Sequence, residues 1–286
     1  MKITNSRRVN RIGQIAKYMM IGGAAAAFMG LSINAQAQPT CTVANWEKVG
    51  SVFNLNSDDH TGTQGSSNRR YAGPCGLRVP FGGEAWVENS SPDPDSTSSL
   101  NEPVYIARFY GFFDDLVGTA VPIFEAYDSG DLPVFTVFYS DDGTITFEVA
   151  GDSSSVSVGS GWHSIEMRYD VNGDEFIYTV NGADDTILNP ALTENVAAVR
   201  LGDIDGAGSG TADFDDFDSR RSSRPGRLLV GDANDDGAIN IFDVLAIFQE
   251  SAGASFAPGQ PDCNEDGVIN IFDVLCIFEI SAGGGS

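Results

Sequence analysis

The sequence predicts a mainly β fold: an antiparallel β-sandwich of the jelly-roll type, followed by a small α-helical domain. The first observation is a series of short runs rich in Val, Ile, Phe, Tyr and Thr between about residues 41 and 221. The second is that Gly, Asp, Asn and Ser turns separate these runs, and none of them has a long helical period. The third is that two segments after residue 230 resemble each other and differ in composition from the rest of the chain.

Six runs in the large N-terminal part are predicted to be strands. They are PVYIARFY (103–110), PVFTVFY (133–139), TITFEV (144–149), HSIEMRY (163–169), FIYTV (176–180) and VAAVRL (196–201). In TITFEV, Ile145, Phe147 and Val149 fall on one face and polar residues on the other, which predicts a half-buried antiparallel strand. About 180 residues of such sequence can bury a core of their own.

The first 37 residues are predicted to be an export signal. Five basic residues lie between positions 2 and 17, the apolar run YMMIGGAAAAFMGLSI follows, and Ala35-Gln36-Ala37 has the small-x-small pattern of a cleavage site. The run is shorter than the ~20 apolar residues that a transmembrane helix needs, and glycines interrupt it. We therefore expect cleavage after Ala37, a secreted or cell-surface location, and no membrane span in the mature chain.

The charge balance is strongly acidic. The full chain carries 16 basic and 40 acidic residues, a net charge of −24. Loss of residues 1–37, which hold five basic and no acidic residues, leaves 11 basic and 40 acidic residues and a net charge of −29. Such a surface repels nucleic acid and anionic membranes and suits a protein that collects divalent cations. Nucleic acid is therefore not expected as a partner.

The composition divides the chain into four parts. The signal (1–37) precedes the predicted β-sandwich domain (38–221), and the polar, basic stretch SSRPGR opens a predicted linker at 222–228. The last part (229–286) contains the two repeats and a glycine-rich tail. We therefore predict two domains after the signal.

The two repeats have the residue spacing of a cation-binding loop. Residues 231–250 and 261–280 match at 13 of 20 positions. Each copy places Asp, Asn, Asp, Gly, Asn and Asp at loop positions 1, 3, 5, 6, 9 and 12. In the first copy these are Asp232, Asn234, Asp236, Gly237, Asn240 and Asp243, and in the second Asp262, Asn264, Asp266, Gly267, Asn270 and Asp273.

Calcium chemistry explains this spacing. The ion takes about 6–8 oxygen ligands, so a short loop supplies carboxylates at alternate residues, a glycine at the sharp turn, a backbone carbonyl at position 7 and a closing carboxylate at position 12. Position 7 is Ala238 in the first loop and Val268 in the second, and Asn240 and Asn270 stand where a ligand commonly acts through water. Each loop is therefore predicted to bind one calcium ion, which gives two ions per chain.

A short helix is predicted after each loop. Asn240 and Asn270 are good N-caps, and an Asp follows each of them three residues later. Val244, Leu245, Ile247 and Phe248, with their counterparts in the second repeat, form a wide apolar stripe at helical spacing. Ile239 and Ile269, at position 8, are expected to face each other across the paired loops.

The tandem pattern D-x-N-x-D-G-x-I-N-x-x-D-x-L resembles a type I dockerin over about residues 229–281. The resemblance implies a small calcium-binding domain with near two-fold symmetry whose partner is a cohesin-like protein module. The pairs Ile241-Phe242 and Ile271-Phe272 occupy the positions where that family reads its partner, commonly with Ser-Thr. These pairs either contact a partner or form local core, and core is the favoured interpretation because apolar residues are more often buried than functional.

Four cysteines fit an exported protein in an oxidising compartment. They are Cys41, Cys75, Cys263 and Cys276, and pairing within each domain is the simplest arrangement. Cys263 and Cys276 together replace Ala233 and Ala246 of the first repeat, which predicts that these positions face each other. A disulfide there would close a loop of ~14 residues, worth roughly 3 kcal/mol in the chain-entropy model. We therefore expect the second site to keep more structure than the first when calcium is removed.

The β region has a family resemblance of its own. The segments GWHSIEMRYD (161–170), FIYTVNG (176–182) and FDDFDSRR (214–221) resemble strands of laminin G-like and concanavalin A-like jelly rolls, over about 140 residues. The resemblance implies a domain that binds carbohydrate or protein, since relatives include lectins, binding modules and some glycoside hydrolases.

No catalytic residue is predicted. The E-x-D-x-x-E signature of concanavalin-like glucanases is absent, and Asp213 and Asp215 are interpreted as solvated acids on an edge strand. His163 has the parity of the core-facing residues of its strand, and His60 lies in a polar loop. The tryptophans could stack on sugars but are expected in the core.

These observations favour a secreted calcium-binding protein with a dockerin-like interaction module and a β-sandwich that recognises carbohydrate or a surface partner. The alternative is a polysaccharide-degrading hydrolase or lyase with its site in the sandwich. The acidic loop NSSPDPDSTSS (89–99) is a further calcium site or a flexible loop.

Overall fold

A computed structural model of the chain describes residues 69–90 and 101–283, together with the backbone of two strands at 48–49 and 54–56. The strands are β1 (Lys48–Val49), β2 (Asn54–Asn56), β3 (Gly76–Phe81), β4 (Ala85–Asn89), β5 (Val104–Phe112), β6 (Leu116–Val117), β7 (Val121–Tyr127), β8 (Pro133–Ser140), β9 (Thr144–Val149), β10 (Asp152–Ser157), β11 (Trp162–Asp170), β12 (Glu175–Val180), β13 (Thr186–Leu188), β14 (Ala198–Asp203) and β15 (Ser209–Arg220). The helices are α1 (Ile241–Ser251) and α2 (Ile271–Ser281), and a 3-10 turn spans Val171–Gly173.

The strands form two antiparallel sheets. One has seven strands in the order β1-β4-β14-β7-β8-β9-β10, and the other has eight, β13-β12-β11-β5-β15-β3-β2 with β6 attached to β15. A single large core fills the space between the sheets, where Phe109 of the eight-stranded sheet lies 5.5 Å, ring centroid to ring centroid, from Phe124 of the seven-stranded sheet. The predicted antiparallel β-sandwich is therefore confirmed.

The alternation of β9 is as predicted. Ile145, Phe147 and Val149 are buried in the core between the sheets, and Glu148 is exposed. His163, at the second position of β11, is also buried, and its Nε2 lies 2.9 Å from the carbonyl oxygen of Gly159. Burial lowers its pKa. His60, Trp46 and most of the acidic loop 89–99 lie outside the described residues.

The outer face of the eight-stranded sheet is covered as well, which the sequence pattern does not show. Arg108 and Tyr110 on β5 and Trp162 on β11 point away from the core between the sheets, yet all three are buried. The segment 222–228 lies on this face, where the backbone N–H of Leu228 donates to the Tyr110 hydroxyl at 2.7 Å. The segment predicted to be a linker therefore packs against the sandwich.

The interpretation of Asp213 and Asp215 as solvated acids on an edge strand is wrong. Their strand, β15, lies between β5 and β3 in the interior of the sheet. Asp213 is 1% exposed and accepts hydrogen bonds from the Arg78 guanidinium at 2.7 and 2.8 Å. Asp215 accepts from the backbone N–H of Ala72 at 3.0 Å, and burial raises its pKa to about 7. Both carboxylates are engaged in holding neighbouring chain segments.

The two helices pack against each other and share a small core. Ile247, Val274 and Ile277 are its buried helical members, and Ile239 and Ile269 from the loops pack against it. Neither helix is long or apolar enough to cross a bilayer, and the same holds for every helix in the described part of the chain.

Candidate metal centre in the two repeats

The loop of the first repeat is held closed by its own carboxylates. Asp232 accepts hydrogen bonds from the backbone N–H groups of Asp236 at 3.1 Å and Gly237 at 2.8 Å. Asp243 accepts from the backbone N–H groups of Asn234 at 3.1 Å and Asn240 at 2.8 Å. The first and twelfth positions of the loop thus bind its middle, and both carboxylates are buried.

The second loop repeats this arrangement. Asp262 accepts from the backbone N–H groups of Asp266 at 3.1 Å and Gly267 at 2.7 Å. Asp273 accepts from those of Asn264 at 3.4 Å and Asn270 at 2.8 Å. The equivalent hydrogen bonds of the two loops differ by at most 0.3 Å in length.

The backbone conformation explains the glycine at position 6. Gly237 and Gly267 have φ angles of +83° and +82°, in the left-handed region that favours glycine. The predicted N-caps are also confirmed, since each helix begins with a complete capping box in which Asn240 or Asn270 pairs with the Asp three residues later. Loop closure and helix initiation therefore use the same closing carboxylate.

The four end-of-loop carboxylates are buried without a basic partner. Asp243, Asp262 and Asp273 are 0% exposed and Asp232 is 7% exposed, and among the described residues no ion pair involves any of them. Burial of an uncompensated carboxylate is costly. In the second loop, burial raises the pKa of Asp273 to about 6, and burial together with the charge of Asp273 raises the pKa of Asp262.

The third carboxylate of each loop is at the surface. Asp236 is exposed, and its side-chain oxygens accept from the backbone N–H of Ala238 and from the side-chain amide of Asn234, both at 3.0 Å. Within residues 69–90 and 101–283, accordingly, no three His, Cys, Asp or Glu side chains are gathered as a metal site. A cation in this loop would require the Asp236 carboxylate to exchange these hydrogen bonds for the ion.

The predicted disulfide of the second repeat is present between Cys263 and Cys276, whose Cα atoms lie 6.0 Å apart. It joins the loop to α2 at the positions that Ala233 and Ala246 occupy in the first repeat. Cys41 lies outside the described residues, so its pairing with Cys75 stays a prediction.

The local-core interpretation of the two Ile-Phe pairs is wrong. Phe242 and Phe272 are each 64% exposed, and Ile241 and Ile271 are exposed as well. Half of the predicted apolar stripe is also outside the core. We call these exposed side chains the apolar face: Ile241, Phe242, Leu245 and Phe248 on α1, and Ile271, Phe272, Leu275 and Phe278 on α2. Each 11-residue helix packs against the other along one narrow side, which Val and Ile occupy, so the remaining apolar side chains stay exposed.

Sequence reasoning missed the residues that fix the repeats on the sandwich. Arg70 and Glu250 form a buried ion pair between the two regions, with 1% and 3% of their side chains exposed. Glu265, at position 4 of the second loop, accepts from the Tyr71 hydroxyl at 2.7 Å. A signal was available at two of these positions, because Glu250 and Glu265 are places where the repeats differ.

The chain is thus a mainly β protein whose antiparallel sandwich carries a C-terminal pair of loop-helix repeats. No family model and no curated protein matches it. Similar solved structures include "Cellulose induced protein, Cip1" (13% identity, TM-score 0.44, 67% of this chain and 92% of that one) and an alginate lyase, AlgAT5 from Polysaccharide Lyase family 7 (12%, 0.41, 68% and 93%). A sialidase is also similar, with 10% identity and a TM-score of 0.40, over 52% of this chain and 15% of that chain.

Proposed function

We propose that this chain is an exported calcium-binding protein whose dockerin-like repeats each hold one calcium ion and bind a protein partner. The observation that carries the proposal is the set of four buried loop carboxylates with no basic partner among the described residues. A divalent cation would neutralise them, and the residues at loop positions 1, 3, 5, 7, 9 and 12 supply the oxygens that calcium prefers.

In the first loop the ion would be held by Asp232, Asn234, Asp236, the Ala238 carbonyl, a water on Asn240, and Asp243. The second loop offers the same set in Asp262, Asn264, Asp266, the Val268 carbonyl, Asn270 and Asp273. Calcium would supply the positive charge that these buried carboxylates lack. Magnesium fits less well because it demands octahedral geometry and keeps its water.

The calcium affinity of the second loop should depend on pH, because the pKa values of Asp262 and Asp273 are raised. Calcium requires the ionised carboxylate, and at pH 5 most Asp273 side chains would carry a proton because the pKa is about 6. We expect calcium at the second loop to bind at least about tenfold more weakly at pH 5 than at pH 7.5. Isothermal titration of the full chain at the two pH values measures this, and equal affinities would refute it.

The calcium-free protein should show the opposite trend: its second repeat should be more stable at low pH than at neutral pH. A folded pKa of about 6 exceeds the ordinary Asp value, so the stabilising contribution of Asp273 is fully present below about pH 4. It is lost as the pH rises towards and through 6, because the folded state must then bury the charge. Calcium-free α2 should therefore show stronger hydrogen-exchange protection at pH 4 than at pH 7, after correction for intrinsic exchange.

The apolar face is the surface that we assign to the partner, which the dockerin resemblance identifies as a cohesin-like module. Its eight side chains are 42–64% exposed, and both helices present Ile, Phe, Leu and Phe in the same order. Exposed apolar side chains that cluster on a helix mark a protein interaction site more often than scattered exposed residues do. Calcium acts on this surface indirectly, because the closing carboxylates also cap the helices that carry it.

The double variant Phe242→Ser/Phe272→Ser is expected to abolish partner binding while leaving calcium binding intact. Immobilised full-length protein should retain a secreted protein of the host with calcium and release it with chelator. The matched control is Leu132→Ser, because Leu132 is also 64% exposed but lies on the sandwich. Equal retention by the double variant and the parent, or retention that persists in chelator, would contradict the assignment.

Carbohydrate recognition by the sandwich is the second part of the proposal. The specific feature that favours it is Trp86, a partly exposed aromatic residue on the seven-stranded sheet. The Arg200 guanidinium lies over one face of its ring, 4.3 Å from the centroid, so a sugar would have to stack on the other face. Such a ring can stack on a sugar. Binding of the full chain to a polysaccharide panel, without release of reducing ends or unsaturated products, is the expected result.

A further inference from the structure

The second loop is attached directly to the sandwich. Its Glu265 carboxylate accepts from the Tyr71 hydroxyl at 2.7 Å and from the Arg227 guanidinium at 2.6 Å. The Glu265 carbonyl accepts from the backbone N–H of Trp162, the first residue of β11, at 3.0 Å. Glu265, at position 4 between two candidate calcium ligands, is therefore held by three separate parts of the chain.

The surroundings of the glycine at position 6 also show that the second loop contacts the sandwich. A Cβ atom on Gly267 would lie 2.7 Å from the Phe112 ring and 2.8 Å from the Arg69 side chain, both on the sandwich side. A Cβ atom on Gly237, at the equivalent position of the first loop, would meet nothing within 4 Å. The second loop thus packs against the sheet, and the first loop faces open space at this position.

The differences between the repeats follow this asymmetry. The copies differ at seven of their 20 aligned positions. Two of these differences are the cysteines of the disulfide. At a third position the first repeat has the exposed Asp235 and the second has Glu265, which binds the sandwich. At a fourth the first repeat has Glu250, the partner of Arg70, and the second has Ile280. The residues of the apolar face are identical in both copies. Divergence is therefore concentrated where the chain binds itself.

We infer that the sandwich is a functional part of the second calcium site. By holding Glu265 and packing on Gly267, it fixes the second loop in its closed conformation before the ion arrives, so the second loop binds calcium more tightly than the first. Linkage makes the effect reciprocal: calcium at the second loop fastens the repeats to the sandwich. The inference rests on the proposed calcium binding and adds that the sandwich preorganises the second loop.

The test uses the full chain with one loop inactivated at a time. Asp236→Ala leaves only the second loop competent, and Asp266→Ala leaves only the first. Into the first background we would introduce Glu265→Asp, which installs the residue of the first repeat and is too short to keep both side-chain contacts. The matched control is Asp235→Glu in the second background, where the longer side chain stays in solvent.

Isothermal titration should show calcium binding weakened about tenfold by Glu265→Asp, the effect of losing one charge-assisted hydrogen bond to the sandwich, and unchanged by Asp235→Glu. Hydrogen exchange of the Trp162 amide gives a second readout. Calcium should protect this amide in the parent and in Asp236→Ala but not in Asp266→Ala.

Two different results would overturn the inference, and they are distinguishable. If the parent binds calcium but Glu265→Asp leaves the affinity of the second loop unchanged, the coupling is absent while the proposed function stands. If the parent binds no calcium at all, both fail together.

Discussion

Removal of calcium by a chelator is expected to unfold the first repeat and to loosen the second, while the sandwich stays folded. Each helix has 11 residues, fewer than an isolated helix needs for stability in water, and its first turn is capped by a buried carboxylate. Calcium at about 1,000 times its dissociation constant stabilises a site by about 4 kcal/mol. Chelation should therefore lower hydrogen-exchange protection in α1 by about a thousandfold.

The sandwich provides the internal control for this experiment. Amides of β5 and β11 belong to strands whose inner residues lie in the large core between the sheets, so their protection should change far less. Within the repeats, α2 should lose less protection than α1 because the disulfide and Glu265 hold its loop. Helices equally protected in calcium and in chelator would contradict the account, and so would equal losses in α1 and α2.

Replacement of Arg70 by Met is expected to destabilise the protein by about 3–5 kcal/mol. Arg70 and Glu250 are nearly inaccessible to solvent, and the change leaves the Glu250 carboxylate buried, where the backbone N–H of Ala257 at 2.8 Å is its remaining hydrogen-bond donor among the described residues. Breaking one side of a buried pair is costly for this reason. Urea denaturation in the presence of calcium measures the free energy of unfolding.

The double variant Arg70→Met/Glu250→Ile is the control for that measurement. Ile occupies the equivalent position of the second repeat, at Ile280, so the helix accepts it. Removing both charges should restore most of the lost stability, since a buried pair is often replaceable by apolar residues. A loss below about 1 kcal/mol in Arg70→Met, or an equal loss in the double variant, would show that the pair does not hold the regions together.

Local features of the fold could be predicted well. The period-two pattern of β9 fixes which residues face the core, and the Asn-x-x-Asp spacing fixes where both helices begin. The paired change from alanine to cysteine identified a disulfide. Each of these depends on residues close in sequence or on a comparison of the two repeats.

Burial that depends on distant segments could not be predicted. The alternation of β15 places Asp213 and Asp215 on the outer face correctly, but arginine side chains and the segment 69–72 cover them there. The opposite error occurred at Phe242 and Phe272, because the rule that apolar residues are buried requires something to cover them. The small core shared by two short helices has no room for a second row of side chains.

Calorimetric titration of calcium into chelator-treated, full-length protein at pH 7.5 tests the central claim most directly. The account predicts two ions per chain in the parent, one in Asp236→Ala, one in Asp266→Ala, and none when both are replaced. No uptake by the parent, or two ions still bound by the double variant, would contradict it.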